Sequence, residues 1–236
     1  MVRSVSVRRS STPPAPPFQG GAIGRGARPL LALLILAALH CGALHAENAG
    51  AAAHPSVRIE TSLGDIDLEL YADQTPETVR NFLAYVSEKF YDGTVFHRVA
   101  QGIVIQGGGF TPDMKEKAPN AARPPVKNEA STALKNTRGT IAMARTADPD
   151  SATCQFFINT NDNVALNHLN ATPQGMGYCV FGRVIAGQDV VDKINAVAVD
   201  KGEKKSEPKL FLRDGSEVPS AEIPKEPVVI KSIRAR

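Results

Sequence analysis

The stretch 96–110, FHRVAQGIVIQGGGF, carries one fixed cation, Arg98, and two amides, Gln101 and Gln106, among apolar residues and four glycines, three of them consecutive. It has no carboxylate, serine or cysteine, and its only side chain titrating near neutrality is His97. Covalent catalysis needs an activated hydroxyl, thiol or amine, and none stands here. Proton transfer would fall to His97 alone. In an alternating strand His97 points opposite to its neighbours Phe96 and Arg98, so it reads as structural. What remains is a guanidinium, always charged and bearing a rigid fork of donors, beside an apolar surface. Such a set can hold and polarise a group, but it cannot attack one.

A further amide, Gln155, stands in CQFFINT (154–160), where Phe156 and Phe157 must face opposite ways. Gly107-Gly108-Gly109 lacks the Lys-Ser/Thr and helix of a phosphate loop and reads as tight backbone turning. His54, Asp65 and His168 are dispersed and offer no metal-ligand spacing, and no cofactor is implied.

The elements that must position these residues are mostly strands. VRIETSLGDIDLELY (57–71) alternates with a turn near Leu63-Gly64-Asp65 and reads as a β-hairpin. TVFHRV (94–99), IVIQGG (103–108), GTIAMART (139–146), CQFFINT (154–160) and YCVFGRVI (178–185) are β-rich, and VVIKSIRAR (228–236) is a terminal strand. Two helices interrupt them. In 75–90, Val79, Phe82, Leu83, Val86 and Phe90 fall on one face, with Thr75 as N-cap and Pro76 at the first helical position. The second helix begins near Gly187 with the stripe Val190, Val191, Ile194 and Val197. Residues 111–130 and 201–227 are turn-rich and read as loops. Many strands with only two helices predict a mainly β barrel or sandwich rather than a layered α/β fold.

The 236 residues carry a formal charge of +3, which is misleading. All five charged residues of the first 46 are arginines, and without them the body holds 22 basic and 24 acidic residues, a net of −2. The body therefore has no electrostatic footprint for nucleic acid. Residues 30–39, LLALLILAAL, are about half the length of a membrane-spanning helix and read as a signal-peptide core, with cleavage after Ala43 or Ala46. An uncleaved anchor is the alternative, and it is the only route to a membrane. Lipidation at Cys41 is disfavoured by the bulky His40. The expected organisation is a signal peptide with a long basic lead (1–46), a linker (47–56) and one domain (57–236), exported to the periplasm. There Cys154 and Cys179 either pair or remain two buried thiols.

Three segments, FHRVAQGIVIQGGGF, NTRGTIAMARTADPDSATCQFFIN and YCVFGRV, resemble cyclophilin-type peptidyl-prolyl cis–trans isomerases in order and spacing. The likeness runs from about Val57 to Arg236 and is closest in style to exported bacterial members. It implies a closed eight-stranded antiparallel barrel capped by two α-helices, acting on proline-containing polypeptides as a monomer. Carried over by motif, Arg98 is the catalytic residue. Gln106 and Gln155 orient the substrate backbone and Arg98, and the main chain of Ala144 and Arg145 lines the groove. Val104, Phe157 and Leu166 form the proline pocket, with Ile103 beside it and Tyr178 at its edge.

Four positions depart from the family pattern. Ile103 and Val104 stand where phenylalanine and methionine are usual, Ala165 where tryptophan or phenylalanine is usual, and Gln101 replaces a proline. The first two changes imply a wider or shallower pocket, reduced turnover and weak binding of cyclosporin-type macrocycles. The alternative function is a proline-peptide binding module or holdase that uses the same groove without turnover. Retention of Arg98 favours the isomerase, because a binder needs no donor aimed at a twisted amide.

Overall fold

The computed structural model describes residues 54–200 and 222–236, with two short strands at 210–211 and 217–218 between them. The leader, most of the linker and most of the charged excursion lie outside the described residues. The opening hairpin forms as its alternation dictates: β1 (Ser56–Thr61) pairs antiparallel with β2 (Gly64–Leu70), Ile59 opposite Ile66 and Val57 opposite Leu68. The short runs then become β3 (Thr94–Phe96), β4 (Arg98–Ala100), β5 (Val104–Gly107), β6 (Thr140–Met143), β7 (Phe156–Asn159) and β8 (Val180–Ala186). The chain ends in β11 (Val228–Ala235), after a small antiparallel pair, β9 (Leu210–Phe211) and β10 (Glu217–Val218). That pair lies inside the excursion expected to be loop.

Nine strands form one sheet in the order β3-β11-β1-β2-β8-β6-β7-β5-β4. Its two ends, β3 and β4, are halves of a single segment interrupted only at His97. Counted once, that segment gives eight strands, and it joins the ends of the sheet into a ring. Closure of this kind leaves only short edges, at β3 and β4, on which another chain could pair.

The interruption corrects the expected alternation. Phe96 and Val99 both lie in the main core, while His97 packs against Phe110 at 4.5 Å between ring centres. Phe110 belongs to a separate cluster with Val95, so His97 and Arg98 both lie outside the barrel core.

Helix α1 (Pro76–Ser87) buries Val79, Phe82, Tyr85 and Val86. Phe82 is the hub, with ring contacts at 5.2–5.8 Å to Tyr91, Phe156 and Phe181. Its N-terminus is not capped by the Thr75 side chain, whose hydroxyl donates backward to the Tyr71 carbonyl. Glu129 serves instead: its carboxylate accepts from the Glu77 and Thr78 N–H groups and from the Thr78 hydroxyl. A carboxylate satisfies the orphan donors and complements the positive end of the helix dipole. Helix α2 (Gln188–Asn195) starts after Gly187, buries Val190, Val191 and Ile194, and packs against β2, β4 and β5.

Candidate active site

The site is a row of residues across the outside of the ring. Arg98 on β4 stands opposite Gln106 on β5, Gln106 opposite Phe157 on β7, Phe157 opposite Ala142 on β6, and Ala142 opposite Val180 on β8. Directly opposed residues share a face of the sheet. The neighbouring row, Val99, Ile105, Ile158 and Ile141, fills the main core, so pleating turns the Arg98 row outward.

On that outer face Ala100, Val104, Ala142, Phe157 and Val180 form an apolar cluster distinct from the barrel core. Ala144, Leu166 and Tyr178 pack against its margin. Tyr178 meets Phe157 edge-on at 5.5 Å. Arg145 covers the Tyr178 ring at 4.6 Å and donates to the Gly177 carbonyl. The polar side of the row is Arg98, with Gln106 Nε2 donating to Gln155 Oε1 at 3.1 Å. The backbone carbonyl of Gln155 accepts from Ala144 N–H at 3.0 Å, tying the amide strand to the groove wall. The Arg98 side chain is 41% exposed and its Nη2 lies 2.7 Å from Glu222 Oε2.

Thus Arg98, Gln106, Gln155, Phe157, Val104, Ala144, Arg145, Leu166 and Tyr178 come together. Ile103 sits apart from the cluster on the β4–β5 turn, 47% exposed at the rim. Ala165 is exposed in the one-turn 3₁₀ segment Val164–Leu166, beside Val164 at 71% exposure. The wall at 164–166 thus offers the cluster only Leu166.

An amide network absent from the sequence reading fixes that wall. Buried Asn159 donates to the Asn136 side chain and to Thr140 Oγ1. Asn136 in turn donates to the carbonyls of Leu166 and Tyr178, and Asn163 donates to the Ile103 carbonyl and Asn159 Oδ1. An asparagine inside the apolar run FFIN was the available signal, since a buried amide must find partners.

Two of the three consecutive glycines have separate reasons. Gly108 adopts φ +86°, a backbone that side chains disfavour. Gly109 is needed for close approach: a Cβ there would lie 2.4 Å from Gln155 Cγ.

His97 is 2% exposed and its Nδ1 has no partner. Burial, reinforced by the Arg98 charge, pulls its pKa from 6.5 down to about 3. It is therefore neutral and structural, as its inaccessibility demands. The unfolded chain protonates below pH 6.5 while the folded chain does not, so stability falls as pH drops from 6.5 toward 3. The loss attributable to His97 should reach about 2 kcal/mol at pH 5. Denaturant midpoints at pH 7 and pH 5 should diverge for the wild type and converge for His97→Phe; equal pH dependence in both would contradict this. Cys154 and Cys179 are free and buried, with burial raising each thiol to about 11. Neither supplies a thiolate. Among the described residues no group of three or more His, Cys, Asp or Glu could hold a metal ion.

An eight-stranded ring with two helices and an external row of guanidinium, amides and apolar cluster defines a cyclophilin-like barrel. Comparison with known proteins agrees. The family model for cyclophilin-type peptidyl-prolyl cis-trans isomerases matches residues 56–234. Peptidyl-prolyl cis-trans isomerase B of Escherichia coli K12 is 50% identical over 177 residues, 75% of this chain and 97% of the relative. An isomerase of Acinetobacter baylyi is 56% identical over 147 residues, 62% of this chain and 75% of that one. A cyclophilin-type isomerase of Cryptosporidium parvum superposes with a TM-score of 0.60 at 26% identity, covering 78% of this chain and 98% of its own. The same protein crystallised in the presence of the dipeptide Ala-Pro gives 0.59. The chain belongs to the cyclophilin-type peptidyl-prolyl cis–trans isomerases.

Proposed function

We propose that this isomerase speeds rotation about Xaa-Pro bonds in exported polypeptides, non-covalently, with Arg98 stabilising the twisted amide. Rotation must break amide resonance, a barrier of about 18–20 kcal/mol. In the twisted state the prolyl nitrogen regains a lone pair. A guanidinium N–H bonds that lone pair, or the adjacent carbonyl, better when the amide is twisted than when it is planar. That difference is what accelerates the step. The observation carrying this reading is the cross-strand row that sets Arg98 beside the Gln106–Gln155 amide pair and the Val104–Phe157 cluster. The cluster receives the proline ring, and the amides hold the substrate backbone. The test is the cis-to-trans rate of an Ala-Pro peptide: acceleration at substoichiometric protein supports the reading, and binding without acceleration opposes it.

Action on exported proteins in the periplasm is supported by the apolar run 30–39 behind five arginines. A chromatographic or mass measurement of the secreted protein tests it, with a mature chain starting at residue 44 or 47 expected.

The open wall at Ala165 supports weak binding of cyclosporin-type macrocycles. Restoring an aromatic with Ala165→Trp should tighten that binding about 10–100-fold, the worth of one newly buried aromatic side chain. Calorimetric titration of both proteins reads this directly; an unchanged Kd would show that position 165 is not part of the wall.

A further inference from the structure

Arg98 lies on β4, at the end of the strand order, where among the described residues no further strand of the sheet follows. A ledge formed by 198–200 and 222–225 fills that place. Val199 bridges Pro224, Lys225 N–H donates to the Ala198 carbonyl, and Asp200 N–H donates to the Ile223 carbonyl. Ile223 is 1% exposed and packs with Val95, Phe110 and Met114, which anchors the ledge to the barrel. Glu222 is fixed from both sides: its N–H donates to Asp200 at 2.7 Å and its carbonyl accepts from Val99 N–H at 2.8 Å. Its carboxylate then meets Arg98 Nη2 at 2.7 Å.

Two features argue that this residue is kept for its carboxylate. Glu222 adopts φ +76°, a left-handed backbone that costs free energy for a residue with a Cβ and suits glycine or asparagine. The ion pair itself is partly exposed, 41% on one side and 37% on the other, and such pairs add little to stability. A strained residue making a weakly stabilising contact with the reactive cation fits a positional role.

We propose that Glu222 is the positioning residue for Arg98. Its carboxylate holds one edge of the guanidinium so that the remaining N–H donors present toward the substrate amide. This rests on the role assigned to Arg98. A charge-assisted pair fixes direction as well as distance, and small misplacements of a reacting group carry large rate penalties.

The test is a cycle of variants measured for kcat, KM and melting temperature. Glu222→Gln keeps the shape and removes the charge; it should lower kcat about ten-fold and leave KM within about two-fold. Glu222→Asn should lose the same turnover while melting at an equal or higher temperature, because it relieves the left-handed backbone. The double variant Arg98→Ala with Glu222→Gln should be no slower than Arg98→Ala alone, since the carboxylate acts only through the guanidinium. Unchanged kcat in Glu222→Gln, or additive losses in the double variant, overturns the proposal while leaving Arg98 in its role. An Arg98→Ala variant as fast as wild type overturns the role of Arg98 and this inference with it.

Discussion

Arg98→Ala is expected to lower kcat/KM about 10²–10³-fold, the range for removing one donor aimed at a transition state. Affinity for an Xaa-Pro peptide should stay within about three-fold, because a contact made mainly in the transition state leaves ground-state binding almost untouched. The apolar cluster of Ala100, Val104, Ala142, Phe157 and Val180 and the Gln106–Gln155 pair remain in place to bind. The fold should tolerate the change, since Arg98 is partly exposed and its ion pair with Glu222 is at the surface. Equal falls in affinity and rate would instead place Arg98 among the binding residues. Arg98→Lys keeps the charge but loses the planar fork, so it should recover only part of the activity.

The second large effect comes from a residue with no side chain. Gly109→Ala would drive a Cβ to within 2.4 Å of Gln155 Cγ and 2.7 Å of its Nε2. Something must move, and the flexible Gln155 side chain moves most cheaply. The hydrogen bond from Gln106 to Gln155 is then lost, and both amides leave their orientation. Turnover should fall about 10–100-fold, as for displacements of about 1 Å at a reacting centre. Stability should change by only about 1 kcal/mol, because no core packing is disturbed. The pairing of a large kinetic loss with a small shift in melting temperature is the signature to measure. Wild-type turnover in Gly109→Ala would mean that Gln155 is not used.

How far the sequence foretold this arrangement depends on the range of the interaction. The α1 stripe from Val79 to Val86 and the alternation of Val57, Ile59, Ile66 and Leu68 in the opening hairpin were legible, because each follows a local period of the chain. The candidate site residues were named through motif resemblance, and their order along the sheet brings together motifs about 50 residues apart. What local pattern does not carry is made across long separations. Thr75 has the right chemistry for an N-cap, yet Glu129, 51 residues beyond Thr78, takes that place. The break at His97 leaves no mark in TVFHRV, because closure of the ring, not local propensity, imposes it. Glu222 lies 124 positions from Arg98 in a charged, proline-punctuated stretch that carries no period at all. Its place beside Arg98 comes from the buried Ile223 next to it and from the hydrogen bond of its carbonyl to Val99 N–H on β4.

The central claim is that this groove turns the amide over and does not merely hold it. The most direct measurement is exchange spectroscopy on an Ala-Pro peptide at equilibrium with a few per cent of protein, observing cis and trans resonances together. The account predicts exchange cross-peaks with wild type and none with Arg98→Ala, while peptide shifts report binding in both. Binding shifts without exchange in the wild type would contradict it and make the protein a proline-peptide binder on a cyclophilin barrel.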